Sequence, residues 1–541
     1  MKTLKFTFAA IFICANIIIF YGQTSIKISG IIDSDTVWDA DTIKVIGDVI
    51  INPDIRLTIL PGTYVEFQDY YGITCSDGII DAAGTNEKKI TFTIKDTLGF
   101  YGEPKSNKGG WKGIKIIGKY QDVNTSKFQY CDFKYGKKFD PQCNYQTNGG
   151  ALFVTDYNTI IVENCNFISN SVSCPAANDS QSKGGAIYCI LVNNLIVRNS
   201  YFDHNYSLTY GGAISLGIKC KALIEGNTFI YNKAYGLVNG TDFEFYHGVG
   251  GAIASSDENY DSPVIRNNYF YNNFSSNGIV YTSNRESQIY NNVICNNVGN
   301  AIIDGHQLSK SRIYNNTIAN NKTNNGGINI FSSASIYNNI VWNNKSENSN
   351  NQDDIEISSF FSSNPVLLNN CTQKGSGGVS GIQTDPQFNN PSKIIGIDPM
   401  ASDYDWSLNA ETSPCINAGI SDTSGFFIPK NDIRNNPRIF GNAIDLGAIE
   451  SQITLHSIEN PNDLEVKIFP NPGSEILNIY SENLKNKVIE IYNVAGHRML
   501  EFFAISKQNS IITDFLTTGI YIIKIISNDS IRMYKWVKTG F

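Results

Sequence analysis

The sequence is poor in charge and in histidine. Charged residues make up 17% of its 541 residues, and only five residues are histidine, which disfavours a His-rich metal site. The net charge of −8 (42 − 50) gives no basic surface for nucleic acid. CxxC pairs are absent among the 11 cysteines, which disfavours structural zinc. We therefore expect no nucleic-acid partner, no metal and no cofactor, with calcium relevant only if the chain is a lyase.

Long apolar runs are missing beyond the N-terminus. The run Phe6–Phe20 follows Lys2 and Lys5 and precedes small and polar residues, which is the layout of a secretory signal peptide. We predict a signal peptide at residues 1–23. A single transmembrane anchor is the competing interpretation, but the run is shorter than the roughly 20 residues that a span needs. No transmembrane segment is expected after removal of the signal peptide.

A nine-residue frame recurs in the middle of the chain, as "IYNNVICNN", "IYNNTIANN" and "IYNNIVWNN". The shortest spacings between copies are 23 and 24 residues, a period that indicates a solenoid. The Leu pattern of leucine-rich repeats and the helix formers of helical repeats are absent. We therefore predict an all-β chain whose residues 24–375 form a right-handed parallel β-helix of roughly a dozen coils. The frame begins at Val162, Val197, Ile224, Ile265, Ile289, Ile313 and Ile336.

Each copy of the frame ends in asparagine. Asn is a poor strand residue, but it tolerates the left-handed backbone of a turn, and stacked amides can hydrogen-bond along a column. Apolar positions of the frame are expected to stack inside the coil in the same way. The sequence predicts a structural ladder of Asn170, Asn205, Asn232, Asn273, Asn297, Asn321 and Asn344.

The second position of the frame is predicted to face solvent. It alternates in charge in the first four copies and then holds three tyrosines. Neighbouring pairs of this kind stabilise strand register, which is one interpretation. The other is a sugar-binding strip, because a tyrosine ring can stack on a pyranose. In chain order these residues are Glu163, Arg198, Glu225, Arg266, Tyr290, Tyr314 and Tyr337.

Ten cysteines remain once Cys14 leaves with the signal peptide, in a compartment where disulfides can form. Cys143 and Cys174 lie in loop insertions of neighbouring coils, so their positions fit a disulfide. Cys131 and Cys165 occupy equivalent frame positions, and we expect them to be stacked, buried thiols.

Catalytic residues are not evident. A lyase needs acids that bind a cation, together with a base, and a glycosidase needs two neighbouring carboxylates. The weak candidates Arg198, Asp203 and His204 share one coil, but adjacent coils have no acids at the same offset. Isolated polar residues on a solvated β face are usually structural. The other groups considered are Asp304 with His306 and Lys310, and Asp353 with Asp354.

Residues 376–450 lose the repeat and are rich in turns. Because a solenoid needs its open end covered, we predict a cap; a carboxylate–guanidinium site is the alternative. The motifs "SPCINAG" and "IDLGAIE" resemble the terminal region of bacterial surface β-helix proteins of the choice-of-anchor type, which implies a surface location. Residues 451–463 form a polar linker. The charged residues of the segment are Asp432, Arg434, Arg438, Asp445 and Glu450.

Residues 464–541 alternate as short strands and turns, which predicts a small antiparallel sandwich. Its motifs, in order, are Pro470-Asn471-Pro472, Tyr492-Asn493 with Gly496, Leu516 with Gly519-Ile520-Tyr521, and the closing strand Lys535 to Lys538. This pattern resembles the type A C-terminal sorting domain of the type IX secretion system of Bacteroidetes. The resemblance implies that type IX machinery carries the protein across the outer membrane, after which the domain is removed or exchanged for a surface anchor.

These features predict a secreted or cell-surface protein that binds extracellular polysaccharide or mediates adhesion. The alternative is a polysaccharide lyase or glycoside hydrolase that acts on an acidic glycan, similar to pectate lyases. A structural surface spacer is a third option. Loops that bring Asp203, His204 and Arg198 into a cleft with several carboxylates would favour the enzyme, whereas a flat face with a tyrosine strip would favour binding.

Overall fold

A computed structural model gives the structure of the chain. The described residues form two compact units that divide after Gln452. The predicted signal peptide lies outside them and stays a prediction. Within the described part, no helix is long and apolar enough to cross a membrane. The residues described are 24–103, 106–119, 123–140, 148–173, 182–235, 248–257, 262–305, 309–323, 325–345, 354–358, 364–420, 426–452, 466–482, 484–485, 487–494, 497–527 and 530–540.

The first unit is a parallel β-helix, which confirms the predicted fold class. Each coil contributes to three faces, here called A, B and C in chain order, and each strand pairs in parallel with its equivalent in the next coil. Face A contains Thr36–Trp38, Arg56–Ile59, Ile79–Ala83, Thr125–Gln129, Leu152–Glu163, Ile187–Arg198, Cys220–Glu225, Val264–Arg266, Gln288–Tyr290, Arg312–Tyr314, Ser335–Tyr337 and Val366–Leu368. Face B contains Ser25–Ile32, Thr42–Ile51, Tyr64–Phe67, Ile90–Ile94, Cys131–Lys134, Asn166–Ile168, Tyr201–Asp203, Thr228–Ile230, Tyr269–Tyr271, Val293–Cys295, Thr317–Ala319, Ile340–Trp342 and Cys371–Thr372.

Face C shares long strands with its neighbours, because Ser25–Ile32 and Thr42–Ile51 continue from face B, and Leu152–Glu163 and Ile187–Arg198 continue into face A. Its other strands are Ile73–Ser76, Ile114–Ile117, Ile214–Leu216, Ile253–Asp257, Val280–Asn284, Ile302–Asp304, Ile328–Ile330 and Ile355–Ile357. A small five-stranded sheet follows face B in the middle coils and contains Lys137–Phe139, Ser171–Ser173, Tyr206–Ser207, Lys233–Ala234 and Phe274–Ser275.

Alternate residues of each strand point into the coil and stack on their equivalents in the next coil. Phe133 and Phe167 have ring centroids 4.6 Å apart and planes 6° apart. Phe202 and Phe229 repeat the contact at 4.8 Å, which matches the spacing of paired strands. The first positions of the seven frame copies likewise lie in register on face A. Parallel pairing therefore places each inward apolar side chain directly on its equivalent in the next coil.

The asparagines at the last position of the frame form a hydrogen-bonded column at the corner after face B. Asn170 Nδ2 donates to Asn205 Oδ1 at 3.0 Å, and equivalent contacts continue down to Asn344. Each amide also donates to a strand carbonyl of the preceding coil, as from Asn205 Nδ2 to Phe167 O at 2.9 Å. The column thus satisfies polar groups that are buried inside the solenoid.

A second column, which the sequence reasoning missed, lies at the corner between faces A and B. It uses the fourth position of the frame, where Asn292 Nδ2 donates to Asn316 Oδ1 at 3.0 Å. Earlier coils place other small polar residues there, and Cys165 N donates to Ser200 Oγ at 3.0 Å. Cys131 and Cys165 are buried free thiols of this column, whereas Cys143 and Cys174 lie outside the described residues. Its asparagines are Asn227, Asn268, Asn292, Asn316, Asn339 and Asn370.

The first asparagine of each Asn-Asn pair makes the corner. Asn291 and Asn296 have φ values of 53° and 58°, a left-handed conformation that Asn adopts more readily than most residues. Their side chains point away from the coil and bind the segment that follows the last coil. Asn296 Nδ2 donates to Ile394 O at 2.7 Å, and Asn291 Nδ2 donates to Asn431 O at 2.8 Å.

This return segment, residues 385–450, lies along the side of the last coils. Trp406 and Ala448 pack against Val293 and Cys295 of face B. Most of the segment is therefore not the expected cap over the open end of the solenoid. It instead covers the outward side of face B, which is apolar in these coils, so that its burial is favourable. Its regular elements are Phe388–Asn390, the 3-10 helix Ala401–Asp403 and Asp405–Leu408.

The second unit is an antiparallel sandwich of two sheets. Leu477, Ile489 and Trp536 are buried between them. Trp536 Nε1 donates to Pro470 O at 2.8 Å, and Asn471 Nδ2 donates to Lys535 O at 2.8 Å, which fastens the Pro-Asn-Pro element to the closing strand. One sheet contains Lys467–Phe469, Ile476–Tyr480 and Gln508–Ile512, and the other contains Arg498–Phe503, Val488–Asn493, Gly519–Ser527 and Ser530–Lys538.

Candidate functional site

The return segment divides the outward side of face B into a covered part and an open part. From Val293 to Ile340 the outward residues are buried. In earlier coils, Asn166, Tyr201 and Thr228 at the same outward positions are partly exposed. The open part is therefore the surface of face B that a large ligand can reach.

A pocket of about 460 Å³ lies beside this open part, at the corner that follows face B. Aromatic rings dominate its lining, and the remaining residues are polar or basic. The volume falls within the range that holds small ligands in proteins. The pocket is lined by Phe100, Tyr101, Ser171, His204, Asn205, Tyr206, Tyr231, Lys233 and Tyr235.

Two of these rings occupy the corner position at which later coils place the turn-forming asparagine. His204 and Tyr231 have φ values of 54° and 55°, which is unfavourable for bulky side chains. Their rings stack with centroids 4.8 Å apart. Side chains at this corner position point away from the coil. In a later coil the side chain is Asn296, which binds the return segment, whereas in these coils aromatic rings at the same position face the pocket.

Further rings extend the pocket along the small sheet. Tyr235 lies 5.9 Å from Tyr206 and 4.9 Å from Phe274, measured between ring centroids. The Tyr235 side chain is exposed, as is that of Tyr101. Exposed ring faces beside polar donors are suited to a flat ligand with hydroxyl groups.

The loop that supplies Phe100 and Tyr101 is organised by Lys137. This buried ammonium group donates to the carbonyl oxygens of Glu103 and Lys108, both at 2.9 Å, and of Phe100 at 3.1 Å. It also lies 5.2 Å from the centroid of the Phe100 ring. Burial lowers the pKa of Lys137 to about 8, although nearby Glu103 acts in the opposite direction. Lys137 therefore ties the loop to the coil from within.

The structure brings together two of the three weak catalytic candidates. His204 Nδ1 is in short contact with Asp203 Oδ1, which orients the ring beside the pocket. Arg198 is separate, because it lies on face A with its guanidinium 3.9 Å from the carboxylate of Glu163. The described pocket lining contains no carboxylate. The cleft with several acids that would favour an enzyme is therefore not formed by these residues.

The tyrosine strip does not face solvent, so that expectation is wrong. Tyr290, Tyr314 and Tyr337 stack with centroid distances of 4.6 and 4.8 Å, but their side chains are buried. Phe426 and Phe427 of the return segment cover them, and burial raises the pKa of Tyr337 to about 12. A sugar cannot stack on these rings in this structure.

The remaining candidate side chains have structural surroundings. Asp304 is buried, and its Oδ2 accepts from Ser332 Oγ at 2.5 Å; burial raises its pKa to about 6. Asp354 Oδ2 accepts from the backbone N–H groups of Gln373 and Lys374 at 2.6 and 2.8 Å, which organises a turn. Lys310 donates its backbone N–H to Arg285 O at 2.6 Å. His306 and Asp353 lie outside the described residues.

The carboxylate–guanidinium group of the return segment is buried. Arg438 Nε lies 3.9 Å from Glu450 Oε2, and Glu450 Oε2 accepts from Asp445 N at 3.1 Å. Asp445 accepts from the backbone of Asn417 and Ser451, both at 2.7 Å. Burial raises the pKa of Glu450 to about 8 despite the nearby guanidinium. These contacts cross-link the turns of the segment.

Arg434 lies apart from this buried group and pairs with Asp405 at 2.6 Å. The Asp432 carboxylate accepts from backbone N–H groups at 2.8 and 2.9 Å.

The fold and the pocket define a class, a parallel β-helix with an aromatic surface site and a separate antiparallel C-terminal unit. Residues 467–539 match the family described as "Secretion system C-terminal sorting domain". This match confirms the type IX sorting domain, so the protein is secreted or displayed at the cell surface by that route. A sequence comparison with curated proteins finds no match. Within the described residues, no group of three or more His, Cys, Asp or Glu side chains is placed to hold a metal ion.

Proposed function

We propose that this protein binds polysaccharide outside the cell, with the aromatic pocket as the binding site. The observation that carries the proposal is the convergence of exposed rings, from Tyr101 on one side to Tyr235 on the other, around a cavity of about 460 Å³. The same binding would attach the protein to a surface that carries the glycan, which is adhesion. A surface spacer would need no such site.

Three features support a sugar as the ligand. Pyranose rings present an apolar C–H face, which packs well on a tyrosine face. The hydroxyl edge of the sugar requires donors and acceptors, and Ser171 and Lys233 line the same cavity. The pocket also opens beside the uncovered part of face B, along which a chain of sugar units could continue.

Binding to an array of plant, algal and bacterial polysaccharides tests the proposal. We expect the full-length purified protein to retain at least one of them, and Tyr235→Ala to weaken that binding by roughly tenfold, since one stacking platform is lost. Phe515→Ala is a matched control, because it removes an exposed ring from the sorting domain. Absence of retention on every polysaccharide would favour the spacer.

An acidic-glycan lyase is the second candidate function, favoured by one observation. His204 is oriented by Asp203 in the pocket, as a general base would be. Incubation with polygalacturonate should give no ultraviolet absorbance from unsaturated products if the protein only binds. A signal that is present in the wild type and lost in His204→Gln would establish cleavage in place of simple binding.

A further inference from the structure

The charge of the pocket suggests which sugars it binds. Its basic lining residues are Lys233 and His204, and the described lining contains no acid to offset them. Asp203, the acid that adjoins the lining, is already engaged with His204 Nδ1. The protein as a whole is acidic, with a net charge of −8, so this basic pocket is a local departure from the general surface.

Lys233 lies among aromatic rings. Its strand neighbours in register are Tyr206 in the preceding coil and Phe274 in the following coil. Its ammonium nitrogen lies 6.0 Å from the centroid of the Tyr235 ring. Among the described residues, no carboxylate comes within salt-bridge distance of Lys233. Low-dielectric rings on both sides strengthen the attraction of this charge for an anion.

His204 adds a second donor on the same side. Contact with Asp203 occupies Nδ1, so Nε2 is the ring nitrogen that remains for a ligand. Stacking on Tyr231 fixes the plane of the imidazole. An ammonium group and an imidazole that flank stacking rings make an arrangement suited to a sugar that carries a negative group.

We infer that the pocket binds an anionic sugar, with its carboxylate or sulfate ester on Lys233 and its ring face on Tyr235. This inference rests on the proposed function and narrows the ligand class. Charge-assisted hydrogen bonds are the stronger ones, so the negative group contributes selectivity beyond what stacking on a ring provides.

Paired polymers that differ only in charge test the inference. Polygalacturonate is compared with its fully methyl-esterified form, and dextran sulfate with dextran, by titration calorimetry of the full-length protein at physiological salt. We expect the wild type to bind the anionic member of at least one pair roughly tenfold more tightly. The pair that shows the preference distinguishes a carboxylate from a sulfate ligand.

Two lysine variants locate the effect. Lys233→Met should reduce the preference to about twofold or less while it keeps binding to the neutral polymer, because the aromatic platforms remain. Lys221→Met removes the same charge from an exposed position on face A, and it should keep the wild-type preference. If both variants lose the preference equally, nonspecific attraction explains it and the inference is overturned.

The remaining outcomes separate this inference from the proposed function. Equal affinity of the wild type for charged and neutral polymers would overturn the anionic ligand and leave polysaccharide binding intact. Failure to bind either member of both pairs, together with no retention on the array, would overturn both. If Lys233→Met keeps the wild-type preference for the anionic polymer, Lys233 does not bind the negative group, which contradicts the inference.

Discussion

Asn297 donates both its backbone N–H and its Nδ2 to the same Oδ1 of Asn321, each at 2.9 Å. Asn297 Oδ1 in turn accepts the equivalent pair of bonds from Asn273. The side chain is therefore a buried relay whose donors and acceptor all have partners, and each coil depends on the next for its polar satisfaction.

Asn297→Ala should lower the free energy of unfolding by about 2–4 kcal/mol, because the buried backbone N–H of Asn273 loses its acceptor and the carbonyl oxygens of Phe270 and Cys295 lose a donor. Urea denaturation followed by circular dichroism measures the loss. Asn344→Ala is the matched control at the half-buried end of the same column, where it leaves fewer groups unpaired. Equal losses in the two variants would contradict the relay.

Tyr231→Asn should separate stability from binding. Asn adopts the φ of 55° with less strain, so the variant should unfold at the same temperature as the wild type or higher. Affinity for the glycan should fall, since the ring that stacks on His204 is lost. A lower midpoint with unchanged affinity would show that Tyr231 is there for packing.

Lys137→Met should release the loop at residues 97–110, because three carbonyl oxygens lose their ammonium donor. We expect faster proteolysis within this loop and weaker glycan binding. Lys108→Met is the control, as its exposed side chain pairs with Glu103 at 2.8 Å. Comparable cleavage in both variants would argue against a role for the buried ammonium.

Asp304 gives a pH prediction. Its folded pKa of about 6 lies above the ordinary value of 3.8, so between these pH values the folded state holds a proton that the unfolded state releases. This carboxyl group therefore makes the protein less stable as pH rises through that window. Asp304→Asn should be more stable than the wild type by about 1–3 kcal/mol at pH 7.5.

The difference between Asp304→Asn and the wild type should shrink as pH falls toward 4, where Asp304 is protonated. Thermal melts at several pH values give this comparison. A difference that is independent of pH would mean that the carboxyl group does not titrate as its burial indicates.

The repeat made much of the fold predictable. Val162, Val197 and Ile224 share one offset in the frame, and parallel pairing at that offset brings them into register. Asn297 and Asn321 are 24 residues apart for the same reason. In a solenoid, each coil contacts chiefly its neighbours, so a local period is enough to specify tertiary contacts. The sorting domain was recognisable because its motifs are local too.

The site was less predictable. Tyr290, Tyr314 and Tyr337 stack as their spacing indicates, yet their exposure depends on whether another segment lies over them, and Phe427 comes from about 90 residues further along the chain. The eighth position of the frame did hold a signal, because His204 and Tyr231 replace the Asn of later copies. This replacement indicates a site only once the structure shows that side chains at this corner point outward.

One repeat of the sequence is enough to specify the coil, since strand length, turn residues and inward side chains are all encoded within it. Which outward surface stays open depends on contacts between distant segments. The return segment buries the late part of face B, and the loop tied by Lys137 closes over the corner beside Tyr235. Both choices depend on burial of apolar area between segments that are distant in sequence, and no local period records such contacts.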